Sequence, residues 1–170
     1  MIFFLLHACA ADDYDSGPTD TATDPTTDTT PTGTADLRLA GEWLSEGDDV
    51  STLLAGDPFN IVSVSASFVA DGSYSVVSVD ADGQSGTLTG TYVIDEGTDP
   101  AGIVLTQATP YSATAVGIYQ IDGTTLSYEV VQTVPDYGYA PPTPETGFGT
   151  TSGNGIEAGI NVQTYVRVGA

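Results

Sequence analysis

The 170-residue chain contains no lysine, and its single histidine and single cysteine, His7 and Cys9, both lie near the amino terminus. Beyond residue 9 the chain therefore carries no imidazole, thiol or side-chain amine. This excludes from that part of the chain Ser–His and Cys–His nucleophile pairs, Schiff-base lysines and zinc sites built on imidazole or thiolate. We predict that the protein is not an enzyme and that it uses no metal and no other cofactor.

Carboxylates are the only remaining candidates for catalysis. Most of them sit in predicted turns, where an aspartate has a structural role in accepting hydrogen bonds from the turn backbone. Glu42 and Glu129 fall within strands, and the alternation places Glu129 on a polar face. No pair of acids stands out for a glycosidase-like mechanism. The run from Asp80 to Gly83 lacks the further ligands of an EF-hand loop, so it favours a hairpin turn over a Ca²⁺ site.

Positive charge is also scarce. Against 23 acidic residues the chain has only Arg38 and Arg167, which gives a formal net charge of −21. Such a chain repels nucleic acids and anionic surfaces, so we predict no nucleic-acid partner. Solubility is the simplest consequence of this charge, and divalent cations, a high-salt environment or a basic partner are the alternatives.

The amino terminus carries the sharpest local signal. An apolar run over residues 1–6 is followed by His7, Ala8 and Cys9. This resembles the end of a bacterial lipoprotein signal peptide, and the resemblance implies that cleavage leaves Cys9 as the lipid-bearing first residue. It also implies an extracytoplasmic protein held by its lipid on the bacterial cell envelope, at the outer membrane or the cell surface. Because no basic residue precedes the short apolar run, we expect the natural start to lie further upstream.

Residues 9–36 are predicted to form a linker. They consist almost entirely of Asp, Thr, Pro, Ser, Ala and Gly. Such a segment has little to bury and its charges repel one another, so it should remain extended and disordered. It would hold the domain formed by residues 37–170 away from the membrane.

Residues 37–170 are predicted to form about eight β-strands. Within residues 85–94, Leu88, Gly90, Tyr92 and Ile94 alternate with Thr87, Thr89 and Thr91. Asp71-Gly72 and Asp122-Gly123 provide tight hairpin turns. Short hairpin links and one-sided polarity predict an all-β, antiparallel up-and-down meander that closes into a barrel, since closure also removes exposed strand edges. On the last strand, residues 160–168, we expect Ile160, Val162, Val166 and Val168 to share one face.

Gly41-Glu42-Trp43 on the first strand resembles the G-x-W signature of lipocalins and related calycin barrels. Residues 90–95, 103–105 and 117–126 are similar to a small lipocalin-like domain of secreted bacterial proteins. The resemblance implies a lipocalin-like barrel in which an arginine of the last strand, here Arg167, packs over Trp43. That family has no agreed activity, so the resemblance bears on the fold and much less on the function.

Two functions are compatible with such a barrel. The first is an interaction module that uses the long connection over residues 134–159, whose Tyr137, Tyr139 and Phe148 alternate with prolines and suit a partner protein or a carbohydrate. These aromatic residues could instead pack down as a structural cap.

The second function is a carrier or sensor that holds a small apolar ligand inside the barrel. Tyr92, Tyr119 and Leu126 would then contact the ligand, and Gly90 and Gly117 would leave gaps in the lining. The other residues expected to face the interior are Leu88, Leu105, Val130, Val162 and Val166. The connection over residues 45–60 would form either a lid over a cavity or a plug in one barrel end.

Overall fold

The computed structural model describes residues 36–169; the proposed signal-peptide segment, Cys9 and the linker as far as residue 35 lie outside the described residues. Eight antiparallel strands follow one another in sequence order, and the first pairs with the last to close a barrel. The prediction of an all-β, up-and-down barrel is therefore confirmed.

The elements follow the chain without crossovers. They are β1 (Gly41–Glu46), a 3₁₀ turn (Gly47–Asp49), α1 (Thr52–Ala55), β2 (Ile61–Phe68), β3 (Ser73–Asp80), β4 (Ser85–Asp95), β5 (Ala101–Thr109), β6 (Ala113–Asp122), β7 (Thr125–Val134) and β8 (Gln163–Arg167).

The hairpins form where the sequence predicts them. Gly72 and Gly123 adopt the positive φ angles that tight turns require. At the β3–β4 turn, Oδ1 of Asp80 accepts hydrogen bonds from the backbone N–H groups of Asp82 (3.0 Å) and Gln84 (2.8 Å). The run from Asp80 to Gly83 is thus a hairpin turn.

Aromatic side chains fill the middle of the barrel. Phe68 of β2 meets Tyr128 of β7 across the lumen, with ring centroids 6.3 Å apart, and the ring of Tyr92 packs edge-on against Phe68 at 5.3 Å. Tyr128 in turn contacts the Tyr165 ring at 6.0 Å. Because these rings belong to strands on different sides of the barrel, they occupy the space that a ligand in this part of the lumen would need.

On the last strand, the side chains that point inward are the ones that the sequence pattern placed outside. Val166 is 46 % exposed, whereas Gln163 and Tyr165 are buried. The amide of Gln163 donates to Ser45 Oγ (2.8 Å) and its oxygen accepts from the backbone N–H of Ser51 (3.2 Å). The expectation that Val162 and Val166 line the interior is therefore wrong, since satisfied polar groups take the inward positions there.

Both barrel ends are closed by side chains. At the end where β1 starts and β8 finishes, here called the Arg end, Leu39 is fully buried beside Trp43. At the opposite end, called the helix end, Val50 and Leu54 from the short helical connection join the core. The 45–60 connection therefore acts as a plug.

Gly90 and Gly117 do not leave gaps in the barrel wall. A Cβ atom at Gly117 would clash with the backbone oxygen of Glu129 on β7, and one at Gly90 would clash with the backbone oxygen of Thr106 on β5. These glycines mark close backbone approach, not free space.

Buried tyrosines predict a loss of stability at alkaline pH. Burial raises the pKa of Tyr74 to about 12 and also raises the pKa values of Tyr128 and Tyr165. The unfolded chain releases these protons near pH 10, so their contribution is intact below pH 10 and is lost as pH rises towards the folded-state values. We expect the melting temperature to fall steeply above pH 10, and Tyr74→Phe to make that fall shallower; an equal fall in the variant would contradict this.

Candidate functional site

At the Arg end, Arg167 ties the last strand to the first. Its guanidinium carbon lies 4.2 Å from the centroid of the Trp43 ring, and its Nη1 donates to the backbone oxygen of Ala40 at 2.9 Å. Its Nη2 donates to the backbone oxygen of Arg38. Gly41 has φ +139°, and a Cβ atom there would contact the Arg167 guanidinium. The Gly41–Trp43–Arg167 group is therefore a structural clasp.

Arg38 is engaged at the same end. It forms an ion pair with Asp36 (3.1 Å), and the buried Asp36 carboxylate also accepts from the hydroxyl of Tyr119 at 3.0 Å. Burial alone would raise the pKa of Asp36, but the hydrogen bonds from Arg38 and Tyr119 outweigh it and hold that pKa below its usual value. The prediction that the linker extends to Asp36 is therefore one residue too long, because Asp36 packs with the barrel. Both arginines form their contacts at the Arg end.

The residues proposed to hold a ligand inside the barrel belong to its core. Tyr92, Tyr119 and Leu126 are all buried in the main apolar cluster. The hydroxyl of Tyr92 donates to the backbone oxygen of Val69 (2.8 Å), and that of Tyr119 donates to Asp36. Their polar groups are therefore already used by the protein.

Residues 135–162, here called the long segment, are held against the outside of the barrel by Glu129. This carboxylate points outward from β7, yet it is completely buried. It accepts hydrogen bonds from the backbone N–H groups of Gly149 (2.5 Å) and Thr151 (3.1 Å). The sequence predicts a polar face for Glu129. The side chain does point away from the interior, but its outward neighbours Ile118 and Val131 are buried apolar residues, so that part of the outer face is not polar.

The aromatic residues of the long segment are unequally exposed. Tyr137 is 43 % exposed, whereas Tyr139 and Phe148 are half-buried. The hydroxyl of Tyr139 accepts from the side-chain amide of Asn154 at 3.2 Å. None of the three belongs to the barrel core, whereas the three residues predicted to contact a ligand inside the barrel do.

A row of valines crosses the outer face of the sheet. Val93, Val104, Val116 and Val131 are cross-strand partners in succession from β4 to β7. Val131 is fully buried, Val104 and Val116 are half-buried, and Val93 is 40 % exposed. The apolar row therefore begins beneath the long segment and continues into solvent.

A groove lies where the valine row leaves the long segment. Val93, Val104 and Val116 form its floor, and Pro141, Pro142 and Pro144 form its wall. The groove measures about 270 Å³, which is below the usual size of pockets for drug-sized ligands. A groove of this volume has room for one or two amino-acid side chains. Asp95 lies at its edge.

Sequence reasoning missed this groove. The alternation along each strand predicts that Val93, Val104, Val116 and Val131 point outward. An outward valine on each of four successive strands is the sequence feature that could have indicated an apolar patch on the outer face. Their alignment depends on strand register, which the sequence leaves open.

Two further kinds of functional feature are absent from residues 36–169. No three carboxylates, imidazoles or thiols converge there into a metal-binding group. Neither does that part of the chain hold a helix of the length and apolarity needed to cross a membrane.

Comparison of the chain with protein-family models, with curated proteins and with solved structures found no match.

Proposed function

We propose that the protein is a non-catalytic, lipid-anchored module of the bacterial cell envelope, built on a lipocalin-like barrel, that binds a partner protein in the groove between the valine row and the long segment. The observation that carries this proposal is the exposure gradient along the row, from buried Val131 to half-exposed Val93. The part of the valine row that the long segment does not cover is an exposed apolar surface, and such a surface is suited to contact with another molecule.

The chemistry of the partner follows from charge. The chain has a net charge of −21, and both arginines are engaged at the Arg end. The groove has Asp95 at its edge, and Glu145 is exposed close by in the long segment. A complementary partner presents an apolar or aromatic side chain between basic residues, so that the side chain enters the groove while the basic residues meet the acidic surroundings.

The filled interior favours this module over a carrier. Phe68 and Tyr128 meet across the barrel, and side chains close both ends. An apolar ligand would have to displace packed rings, whereas a side chain could enter the outer groove without rearranging the core.

The lipid anchor and the lipocalin-like relationship rest on the sequence. The run before Cys9 supports cleavage and lipidation at that residue, and Gly41, Trp43 and Arg167 support the relationship because they are the signature positions. Mass spectrometry of protein made in a bacterial host tests the anchor: a diacylglyceryl-modified Cys9 at the mature amino terminus supports it, and an unmodified Cys9 in an intact chain contradicts it.

Peptide titration tests the groove. The probe is a short peptide with one tryptophan between lysines, and nuclear magnetic resonance records which backbone amides shift. We expect shifts at residues 102–104, at residues 116–117 and at Thr143, since the prolines on either side of Thr143 carry no amide N–H. We expect Val93→Asp to weaken binding at least tenfold, which corresponds to about 1.4 kcal/mol. Val62→Asp is the matched control, because Val62 is also a half-exposed strand valine, at 47 %, outside the groove.

Three results would contradict the proposal. The first is equal weakening of binding by both valine variants. The second is equal binding of a peptide in which glutamates replace the lysines. The third is binding of a fatty acid inside the barrel, which would favour the carrier.

A further inference from the structure

A second, smaller pocket lies at the helix end of the barrel, away from the groove. It is enclosed by the chain after α1 and by the hairpin of β3 and β4, and it measures about 90 Å³. Ile61 and Ser78 are its buried residues, while Pro58, Gln84 and Ser85 form an exposed rim.

Ser78 is the unusual residue of this pocket. Its side chain is only 1 % exposed, because it follows Tyr74 and Val76 on the inward face of β3. Its hydroxyl oxygen has no hydrogen-bond partner, and among residues 36–169 it is the one buried side-chain oxygen or nitrogen in that condition. A buried hydroxyl without a partner lowers the stability of the folded protein, because it gives up its hydrogen bonds to water and gains none in return. Such a group is normally satisfied, so its position in a pocket wall points to a ligand.

Asp80 is the charged residue of this pocket. Asp80 uses Oδ1 for two turn hydrogen bonds, so the turn leaves its Oδ2 unused. Gln84 adds a side-chain amide at the rim, and Phe59 adds an aromatic ring that packs partly against the core. A carboxylate, a hydroxyl and an aromatic face together suit a cation that carries N–H donors.

Competing positive charge from the protein is remote. In the described part of the chain, Arg38 and Arg167 are the basic residues, and both are held at the Arg end, at the opposite side of the barrel. The carboxylate of Asp80 is therefore not neutralised by a protein cation.

We propose that this pocket, here called the Ser78 pocket, binds a small organic cation of the ammonium or guanidinium type. One N–H group of the cation donates to Ser78 Oγ and another donates to the Asp80 carboxylate. The carbon-bearing side of the cation lies against the ring of Phe59. The small volume limits the ligand to a few non-hydrogen atoms. The site is independent of the groove, and its ligand is a free small molecule.

Titration of the domain with millimolar guanidinium, with urea as the neutral molecule of the same shape, tests the proposal at constant ionic strength. We expect saturable amide shifts at Ser78, Asp80 and Gln84 with guanidinium and none with urea. Asp80→Asn should weaken binding at least tenfold, because the amide oxygen can still accept the turn hydrogen bonds while the charge is lost. Asp122→Asn, in another hairpin turn, should leave binding unchanged.

Ser78→Ala provides a readout that does not depend on the added cation. Removing an unpartnered hydroxyl should leave the melting temperature of the free domain equal or higher, and it should reduce the guanidinium-induced shift. Equal response to urea, unchanged binding in Asp80→Asn, or a Ser78→Ala domain that melts well below the parent would each overturn the proposal.

Discussion

Replacing Arg167 with alanine is expected to lower the free energy of unfolding by about 2–4 kcal/mol, and replacing Arg38 is expected to lower it by less. Arg167 lies over the Trp43 ring at 4.2 Å and donates to the backbone oxygens of Arg38 and Ala40. Its loss leaves those carbonyl groups and the indole face without their cation. It also removes a contact between the two strands that close the barrel, of which β8 is only five residues long.

Arg38→Ala is the matched control for this prediction. Arg38 is 69 % exposed at its side chain, so solvent screens its ion pair with Asp36. After the substitution, Asp36 still accepts from the backbone N–H of residue 38 and from the hydroxyl of Tyr119. Chemical denaturation of both variants measures the difference. Equal losses, or a larger loss in Arg38→Ala, would show that the clasp around Trp43 contributes little.

Glu129→Ala is expected to destabilise the domain by about 2–4 kcal/mol and to release the long segment from the barrel. The carboxylate is fully buried and accepts from the backbone N–H groups of Gly149 and Thr151. Without it, Thr151, which is only 2 % exposed, keeps a buried N–H group with no charged acceptor. Hydrogen exchange at the amides of Gly149 and Thr151 should accelerate, and peptide binding in the groove should weaken because the proline wall is no longer held.

Two further variants distinguish the loss of the Glu129 hydrogen bonds to the long segment from a general effect of removing one negative charge. Glu129→Gln keeps one acceptor oxygen and should lose less stability than Glu129→Ala. Glu145→Ala removes an exposed acid from the same segment and should leave both exchange and stability nearly unchanged. Unaltered exchange at Gly149 and Thr151 in Glu129→Ala would mean that other contacts hold the segment.

The barrel could be predicted from the sequence because its strands and turns are each determined by residues that are close together in the chain. Turn glycines such as Gly72 and Gly123 and the alternation along β4 each require only a few neighbouring residues. The closure followed from the number of strands and from their one-sided polarity. These features do not depend on distant contacts, so the sequence could support them.

Features that depend on distant partners were not predictable in this way. Gln163 is inward because Ser45 and Ser51, more than a hundred residues earlier in the chain, satisfy its side chain. Glu129 is buried because the long segment returns across β7, and nothing in its local sequence shows that cover. The groove likewise required the register of four strands and the path of the long segment together.

The central claim is that the barrel interior is filled and that recognition occurs on its outer face. Nuclear Overhauser contacts between the rings of Phe68 and Tyr128, recorded while a fatty acid is added, test this most directly. We predict that these contacts are present in the free domain, as the 6.3 Å separation requires, and that they persist throughout the titration. Their absence from the free domain, or their loss as the fatty acid enters, would contradict the account.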